Sequence, residues 1–244
     1  MAGVHTVYRT TNGISSNYTG MEGNLKLPSL YGARPNEGNY KNGAFPEFFY
    51  GFYPYSDLSK GLDCGIICEK SGYKLFIADN GNGSLKKSWD ESTILSISNG
   101  ADITLKATID SNKLYLECLI GSSLKKSLSA EFASTSIYNK FMKGCWVNRE
   151  MCLSINPDKN GKINLVPAAS FIKAKFYNTS LIATNGTKAS LTKSNSKEYY
   201  WEDSGFPKTN YYDDTRPVGI DITINGHVSD EASATTDKIT APII

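Results

Sequence analysis

The residues best suited to chemistry lie near the C-terminal end, at 199–212, where six aromatic side chains are interleaved with charged residues, glycine and proline. Aromatic rings bind the flat apolar face of a sugar, and polar groups at their rim bind its hydroxyls. The same composition is typical of protein–protein contacts and of a loop that covers a core as a lid. All three interpretations stay open for this long loop or pair of short edge strands. The candidate ligand-binding residues are Tyr199, Tyr200, Trp201, Glu202, Asp203, Tyr211 and Tyr212.

Catalytic patterns are scarce in the sequence. No G-x-S-x-G motif is present, and the two histidines, His5 and His227, are expected in an arm and after a hairpin turn. A glycosidase needs two carboxyl groups about 5–5.5 Å or about 6.5–9.5 Å apart. Asp63 and Glu69 share a strand face but would be about 20 Å apart. A pair assembled from different strands is not visible in a sequence, so glycoside hydrolysis is the third interpretation and a non-catalytic protein is favoured.

The five cysteines are too few for a disulfide scaffold, and their number is odd. Cys64 and Cys68 would be about 13 Å apart on one strand face, too far to bridge. Cys118 is expected to be a small hydrophobe on an apolar face. Cys145 and Cys152 are the candidates for a disulfide or for pairing with another chain.

Two turns, 79–83 and 158–161, carry oxygen ligands of the kind that calcium loops use. Neither has the D-x-[DN]-x-[DN]-G spacing with a distal glutamate, and Asn, Asp and Gly favour turns for backbone reasons alone. A zinc site is not expected, because the sequence has no CxxC motif and too few histidines. We therefore predict plain turns and no cofactor, since calcium has no support.

The stretch 101–121 predicts an antiparallel hairpin in a single register. With a two-residue loop at Ser111-Asn112, the numbers of any two opposed residues add up to 223. Lys106 then faces Glu117 on the more solvent-exposed face. A slip of one residue would turn the apolar set outward, so this register is well specified. The expected apolar pairs are Ile109–Leu114, Ala107–Leu116, Leu105–Cys118 and Ile103–Ile120.

With the short alternating segments elsewhere, roughly 12 to 14 strands are predicted in all, joined by turns, with one helix at 136–143 that ends at Gly144. The stretch 45–55 holds seven aromatic residues and is predicted to be a central strand covered on both faces. Further strands are predicted at 24–30, 62–69, 73–77, 147–155, 162–165, 171–177, 181–184 and 220–224, the last running into an Asn225-Gly226 turn.

The order of these strands, and above all the phrase ITLKATIDSNKLYLEC, resembles the concanavalin-like lectin and laminin-G sandwiches over about residues 20–180. It also resembles the YrpD-type bacterial proteins. The resemblance implies an all-β antiparallel sandwich or jelly roll. The metal-binding residues of legume lectins and the E-x-D-x-x-E strand of related glucanases have no counterparts here.

Composition narrows the classes of partner. The formal net charge is +2, from 26 basic and 24 acidic residues without long runs of either sign. The sequence therefore has no basic patch of the kind that attracts nucleic acid. No apolar run is long enough for a membrane-spanning helix, and no signal sequence begins the chain. Localisation stays open between extracellular, cell-surface and intracellular inclusion. We expect a polar arm at 1–20, a sandwich core at 21–184 and a C-terminal extension at 185–244 that adds strands.

The function that these observations favour is non-catalytic carbohydrate binding by the aromatic loop. The alternative is a structural or self-assembling protein, such as a bacterial surface, inclusion-crystal or toxin-associated component. It draws on the odd cysteine count and the Tyr-rich loops. The expected partner is accordingly a glycan, another protein or a second copy, and an oligomer would fit the alternative.

Overall fold

A computed structural model describes residues 2–11, 17–33, 43–155, 169–202, 212–213, 216–217, 223–224 and 229–235. Its elements up to the helix are β1 (Ala2–Thr10), β2 (Tyr18–Lys26), β3 (Leu30–Gly32), β4 (Ala44–Pro54), β5 (Leu62–Glu69), β6 (Gly72–Ala78), β7 (Trp89–Glu91), β8 (Asp102–Asp110), β9 (Lys113–Ile120), β10 (Ser123–Glu131) and α1 (Thr135–Met142). The elements after it are β11 (Cys145–Ile155), β12 (Ser170–Ala183), β13 (Lys188–Ser190), β14 (Lys197–Glu202), β15 (Tyr212–Asp213), β16 (Arg216–Pro217), β17 (Thr223–Ile224) and β18 (Asp230–Thr235).

The fold is all-β and antiparallel, as the sequence predicts. The hairpin β8–β9 has the expected register from Asp110–Lys113 to Leu105–Cys118 and ends at Thr104–Leu119. Ser111 and Asn112 both adopt positive φ, 48° and 62°, as a tight two-residue loop between twisted strands requires. The expected Ile103–Ile120 pair lies beyond the end of this ladder. Local pattern and turn chemistry therefore determine this part of the fold.

The short helix also follows the prediction, shifted by one residue. Ser134 caps its N-terminus by accepting a hydrogen bond from the Ile137 backbone N–H, which satisfies one of the free donors of the first turn. Gly144 follows the helix with φ 108°, a left-handed conformation that glycine adopts without strain. Phe141 is buried and anchors the helix to the core.

The sheet folds over to enclose the main core. Along the ladder the order is β10-β9-β8-β2-β11-β4-β5-β6-β7, but β2 and β11 share only the pair Tyr18–Cys145. Side chains of the two halves then meet face to face, as Phe48 of β4 does with Phe171 of β12, ring centroids 5.1 Å apart. The result is a β-sandwich.

Strands β4 and β11 have two buried faces, which we call the first face and the second face. The first face points into the main core and carries Phe48, Tyr50, Phe52, Val147, Arg149 and Met151. The second face points the other way and carries Glu47, Phe49, Gly51, Tyr53, Trp146, Asn148, Glu150 and Cys152. The aromatic strand at 45–55 is therefore covered on both faces, which agrees with the prediction of a central strand.

Strand β12 differs from its prediction, because the two strands expected at 171–177 and 181–184 are one. Register shifts lie at Phe171/Ala174 and at Tyr177/Ser180, and Lys173 and Asn178 have positive φ there. Such bulges bend a strand, and β12 changes partners along its length, among β2, β3, β13 and β18. Strand β18 thereby joins the same sheet.

Residues 2–10, predicted as part of a polar arm, form strand β1 between β11 and β14. The strand predicted at 162–165 and the Asn225-Gly226 turn lie outside the described residues. Over the part of the chain that the structure describes, no helix is long and apolar enough to span a bilayer.

Candidate functional site

The aromatic segment at 199–212, predicted to be a long loop or a pair of short edge strands, includes strand residues. Tyr199, Tyr200, Trp201 and Glu202 belong to β14, and Tyr212 belongs to the short strand β15. Asp203 and Tyr211 lie outside the described residues, as do the side chains of this whole set.

Backbone register brings this segment close to β11. Strand β1 lies between them, and Tyr8 pairs with Tyr199 on one side and with Glu150 on the other. His5 likewise pairs with Trp201 and with Cys152. Two strand spacings are about 10 Å, so the predicted segment borders the second face.

The centre of the second face is polar, although it is buried. Asn148 has no exposed surface, and its Nδ2 donates a hydrogen bond to Glu150 Oε1 over 2.5 Å. Its Oδ1 has no hydrogen-bond partner. Leaving a buried acceptor without a partner costs about 1–3 kcal/mol of folding free energy. An unpaired acceptor in this position therefore calls for an explanation.

Gly51 creates the room for Asn148. A Cβ atom at Gly51 would lie 1.9 Å from Asn148 Oδ1, so only glycine accepts the amide directly above the neighbouring strand. The conformation of the amide, and hence its hydrogen bond to Glu150, depends on this missing side chain.

Two carboxyl groups lie on this face. Glu47 is directly opposite Cys152 and Glu150 is directly opposite Phe49, so the two glutamates are diagonal neighbours on adjacent strands. Diagonal neighbours have backbone separations of about 7–8 Å. Both are nearly buried, with 6% of Glu47 and 2% of Glu150 exposed. The sequence offered no signal for this pair, because strand order alone brings the two residues together.

Aromatic rings border the polar centre on both sides. Tyr53 and Trp146 are half-buried and stacked, with ring centroids 4.6 Å apart and planes 16° from parallel. Trp146 Nε1 is buried without a hydrogen-bond partner. On the other side Phe49 packs edge-on against Phe76, which stacks on Trp89. The second face is therefore a polar strip between aromatic rings.

The first face of the same strands carries a different polar cluster. Arg149 is buried in an ion pair with Asp230 of β18, and its Nη1 donates to Thr179 Oγ1 over 2.5 Å. The guanidinium carbon lies 5.0 Å from the centre of the Phe176 ring. Each charge thus has a partner of opposite sign or a polarisable ring, which is typical of a structural link between strands.

The cysteines do not provide reactive groups at the surface. All five are buried. Cys145 lies on the first face and Cys152 on the second face of one strand, so a bridge between them does not form. Burial also raises the pKa of the Cys145 thiol, and that of Cys118 to about 11, which disfavours the reactive thiolate. The role proposed for Cys145 and Cys152 in joining chains has no exposed thiol to support it.

The carboxylate oxygens of the turn at 79–83 accept hydrogen bonds that hold the turn together. The Asp79 carboxylate accepts hydrogen bonds from the backbone N–H groups of Gly81 and Leu85 and from Ser88 Oγ. Burial raises the pKa of Asp79, but these donors outweigh it and hold the pKa below its usual value. Among the described residues no group of three or more His, Cys, Asp or Glu side chains is placed to hold a metal ion. The turn at 158–161 lies outside them.

No protein-family model matches the sequence, and no curated protein matches it. Among solved structures, the chain is similar to scytalido-glutamic peptidase bound to a peptide-based transition-state analogue. That match has 16% identity and a TM-score of 0.54, over 95% of this chain and 98% of the peptidase.

Two further structures are less similar. The toad ovary galectin in complex with thio-digalactose has 14% identity and a TM-score of 0.35, over 64% of this chain and 98% of the galectin. A glycoside hydrolase family protein from Mycobacterium thermorestibile has 13% identity and a TM-score of 0.34, over 58% of this chain and 54% of the hydrolase. Likeness at these identities concerns the fold alone, and only the peptidase match extends over nearly the whole of both chains.

Proposed function

We propose that the protein binds carbohydrate at the second face of strands β4 and β11. The observation that carries the proposal is the stacked pair Tyr53–Trp146 beside Asn148, whose Oδ1 is buried without a partner. A sugar offers a flat apolar face for the rings and hydroxyl groups for the amide.

The polar groups of the site suit hydroxyl recognition. Asn148 Oδ1 is available to accept a hydrogen bond from a hydroxyl, and the Glu150 carboxylate, already oriented by Asn148 Nδ2, is a second acceptor. A site built to bond hydroxyls discriminates strongly, because an analogue without the hydroxyl leaves the buried acceptor unpaired. The proposed ligand is therefore a sugar and not a purely apolar molecule.

The sequence-based candidates, Tyr199, Tyr200, Trp201, Glu202, Asp203, Tyr211 and Tyr212, are proposed as the outer part of the same site. The support is the pairing of β14 with β1, which sets Tyr199 two strands from Glu150. We also propose a relationship to the lectins and the YrpD-type proteins that the sequence resembles. Self-assembly loses one of its main arguments, because all five cysteines are buried.

Glycan-array screening, followed by calorimetric titration of the best sugar, tests the proposal. Replacing Tyr53 by Ala is expected to weaken binding about ten-fold, close to 1.4 kcal/mol, because it removes one ring of the stack. Tyr115→Ala is the matched control, since Tyr115 is a half-buried tyrosine on β9, away from the second face. Its affinity should stay unchanged. No binding on a broad array, or equal losses in both variants, would overturn the proposal.

A further inference from the structure

We infer that Glu47 and Glu150 hydrolyse a glycosidic bond of the sugar bound at the second face. The inference rests on the proposed function and adds a reaction to it. It is carried by the two nearly buried carboxyl groups on adjacent strands and by the Asn148 amide, which bonds one of them and has a free acceptor.

The spacing of the two acids suits this chemistry. As diagonal neighbours they start from backbone positions about 7–8 Å apart. Inverting glycosidases hold their carboxyl groups about 6.5–9.5 Å apart, which leaves room for a water molecule beside the sugar ring. Acids on one strand, such as Asp63 and Glu69, do not meet this condition, since they are separated by six residues of β5.

The hydrogen bond from Asn148 assigns the two roles. That donor stabilises the charged form of Glu150, and on this contact we assign Glu150 as the base and Glu47 as the acid. Glu150 takes a proton from water as the water oxygen forms a bond to the anomeric carbon. The bond from that carbon to the bridging oxygen breaks, and Glu47 gives its proton to the departing oxygen. Exchange of one proton each with solvent then restores both groups.

The buried surroundings of the two acids would strengthen their electrostatic interactions with a bound sugar. Cys152 and Phe49 are almost fully buried beside the acids, so little water remains to screen their charges. The amide that bonds Glu150 through Nδ2 holds its Oδ1 over Gly51, where a sugar hydroxyl would satisfy it. Because the acids are buried, a substrate enters only when this face becomes accessible.

Release of reducing ends from laminarin, mixed-linkage β-glucan, xylan, chitosan and the best array ligand tests the reaction. Glu150→Gln is expected to lose at least about 100-fold in rate, with sugar affinity within a few-fold of the unchanged protein. Glu117→Gln is the control, because Glu117 is a partly exposed glutamate on β9. It should keep full activity.

A second variant tests the acid and guards against a folding failure of the first. Glu47→Gln is expected to lose about 100-fold on the polysaccharide but less than about ten-fold on the 2,4-dinitrophenyl glycoside of the released sugar. That leaving group departs without a proton. The pH–rate profile of the unchanged protein should be bell-shaped, as one protonated and one ionised carboxyl group require.

The outcomes separate the two proposals. Sugar binding without any release of reducing ends overturns the hydrolysis and leaves the binding intact, whereas no binding overturns both. Full activity in either glutamine variant also contradicts the assignment. Cleavage of denatured casein with no cleavage of glycans would replace glycosidic hydrolysis by peptide-bond hydrolysis at these residues, and so would overturn the inference.

Discussion

Both faces of strands β4 and β11 bury ionisable side chains, but the polar groups around those side chains differ. On the first face the charge of Arg149 is paired with that of Asp230, and Thr179 and Phe176 also contact the guanidinium. On the second face two acids share a strip with an amide whose oxygen has no partner, beside half-buried rings. The first arrangement joins strands, and the second has unused binding capacity.

This difference has a general physical meaning. A buried charge that already faces an opposite charge gains little from a further ligand, whereas a buried acceptor without a donor gains about 1–3 kcal/mol when a ligand supplies one. Polar groups that a fold keeps unsatisfied therefore mark candidate sites better than charge alone does. The charge of Arg149 is matched by that of Asp230, which makes this pair structural, whereas the Asn148 oxygen has no donor and indicates a candidate site.

The largest expected effect lies on the first face. Asp230→Ala leaves the Arg149 charge buried without its anion, and we expect the free energy of unfolding to fall by about 3–5 kcal/mol. Urea denaturation followed by circular dichroism measures it. The double variant Arg149→Met with Asp230→Leu should recover most of the loss. A loss below about 1 kcal/mol in the single variant would remove the contrast between the two faces.

A smaller effect is expected from the glycine of the second face. Gly51→Ala puts a Cβ onto Asn148 Oδ1, so the amide must move and its bond to Glu150 is lost. We expect a loss of about 1–3 kcal/mol in stability, together with weaker sugar binding. In an Asn148→Ala background the same change should cost nothing, because the clash is gone. Equal costs in both backgrounds would contradict the described packing.

The smallest expected effect concerns access to the two faces. If the second face opens to admit a ligand, Cys152 should react with iodoacetamide at least about ten-fold faster than Cys145. That ratio corresponds to a free energy of opening about 1.4 kcal/mol lower for the second face than for the first. Mass spectrometry of peptides from partly alkylated native protein measures both rates. Saturating sugar should slow only Cys152. Equal rates would mean that both faces open only when the whole protein unfolds.

Prediction from the sequence succeeded where structure is local. The β8–β9 register follows from period-two alternation and a loop that accepts positive φ at Ser111 and Asn112. The helix follows from its cap and spacing. For the site, the sequence favoured the aromatic segment at 199–212, which stays a prediction, and residues 199–202 of it form a strand beside β1. Nothing local distinguishes Glu47 or Glu150 from glutamates at a solvated strand edge.

The sequence by itself determined the all-β class, the register of the β8–β9 hairpin and the double burial of the aromatic strand β4, since these depend on residue patterns within a few positions. Only the tertiary structure decided which strands are neighbours. It set β4 beside β11, and thereby brought Glu47, Gly51, Asn148 and Glu150 onto one face. It also joined Arg149 to Asp230, 81 residues further along the chain. Such pairings depend on strand order, and many strand orders satisfy the same local patterns.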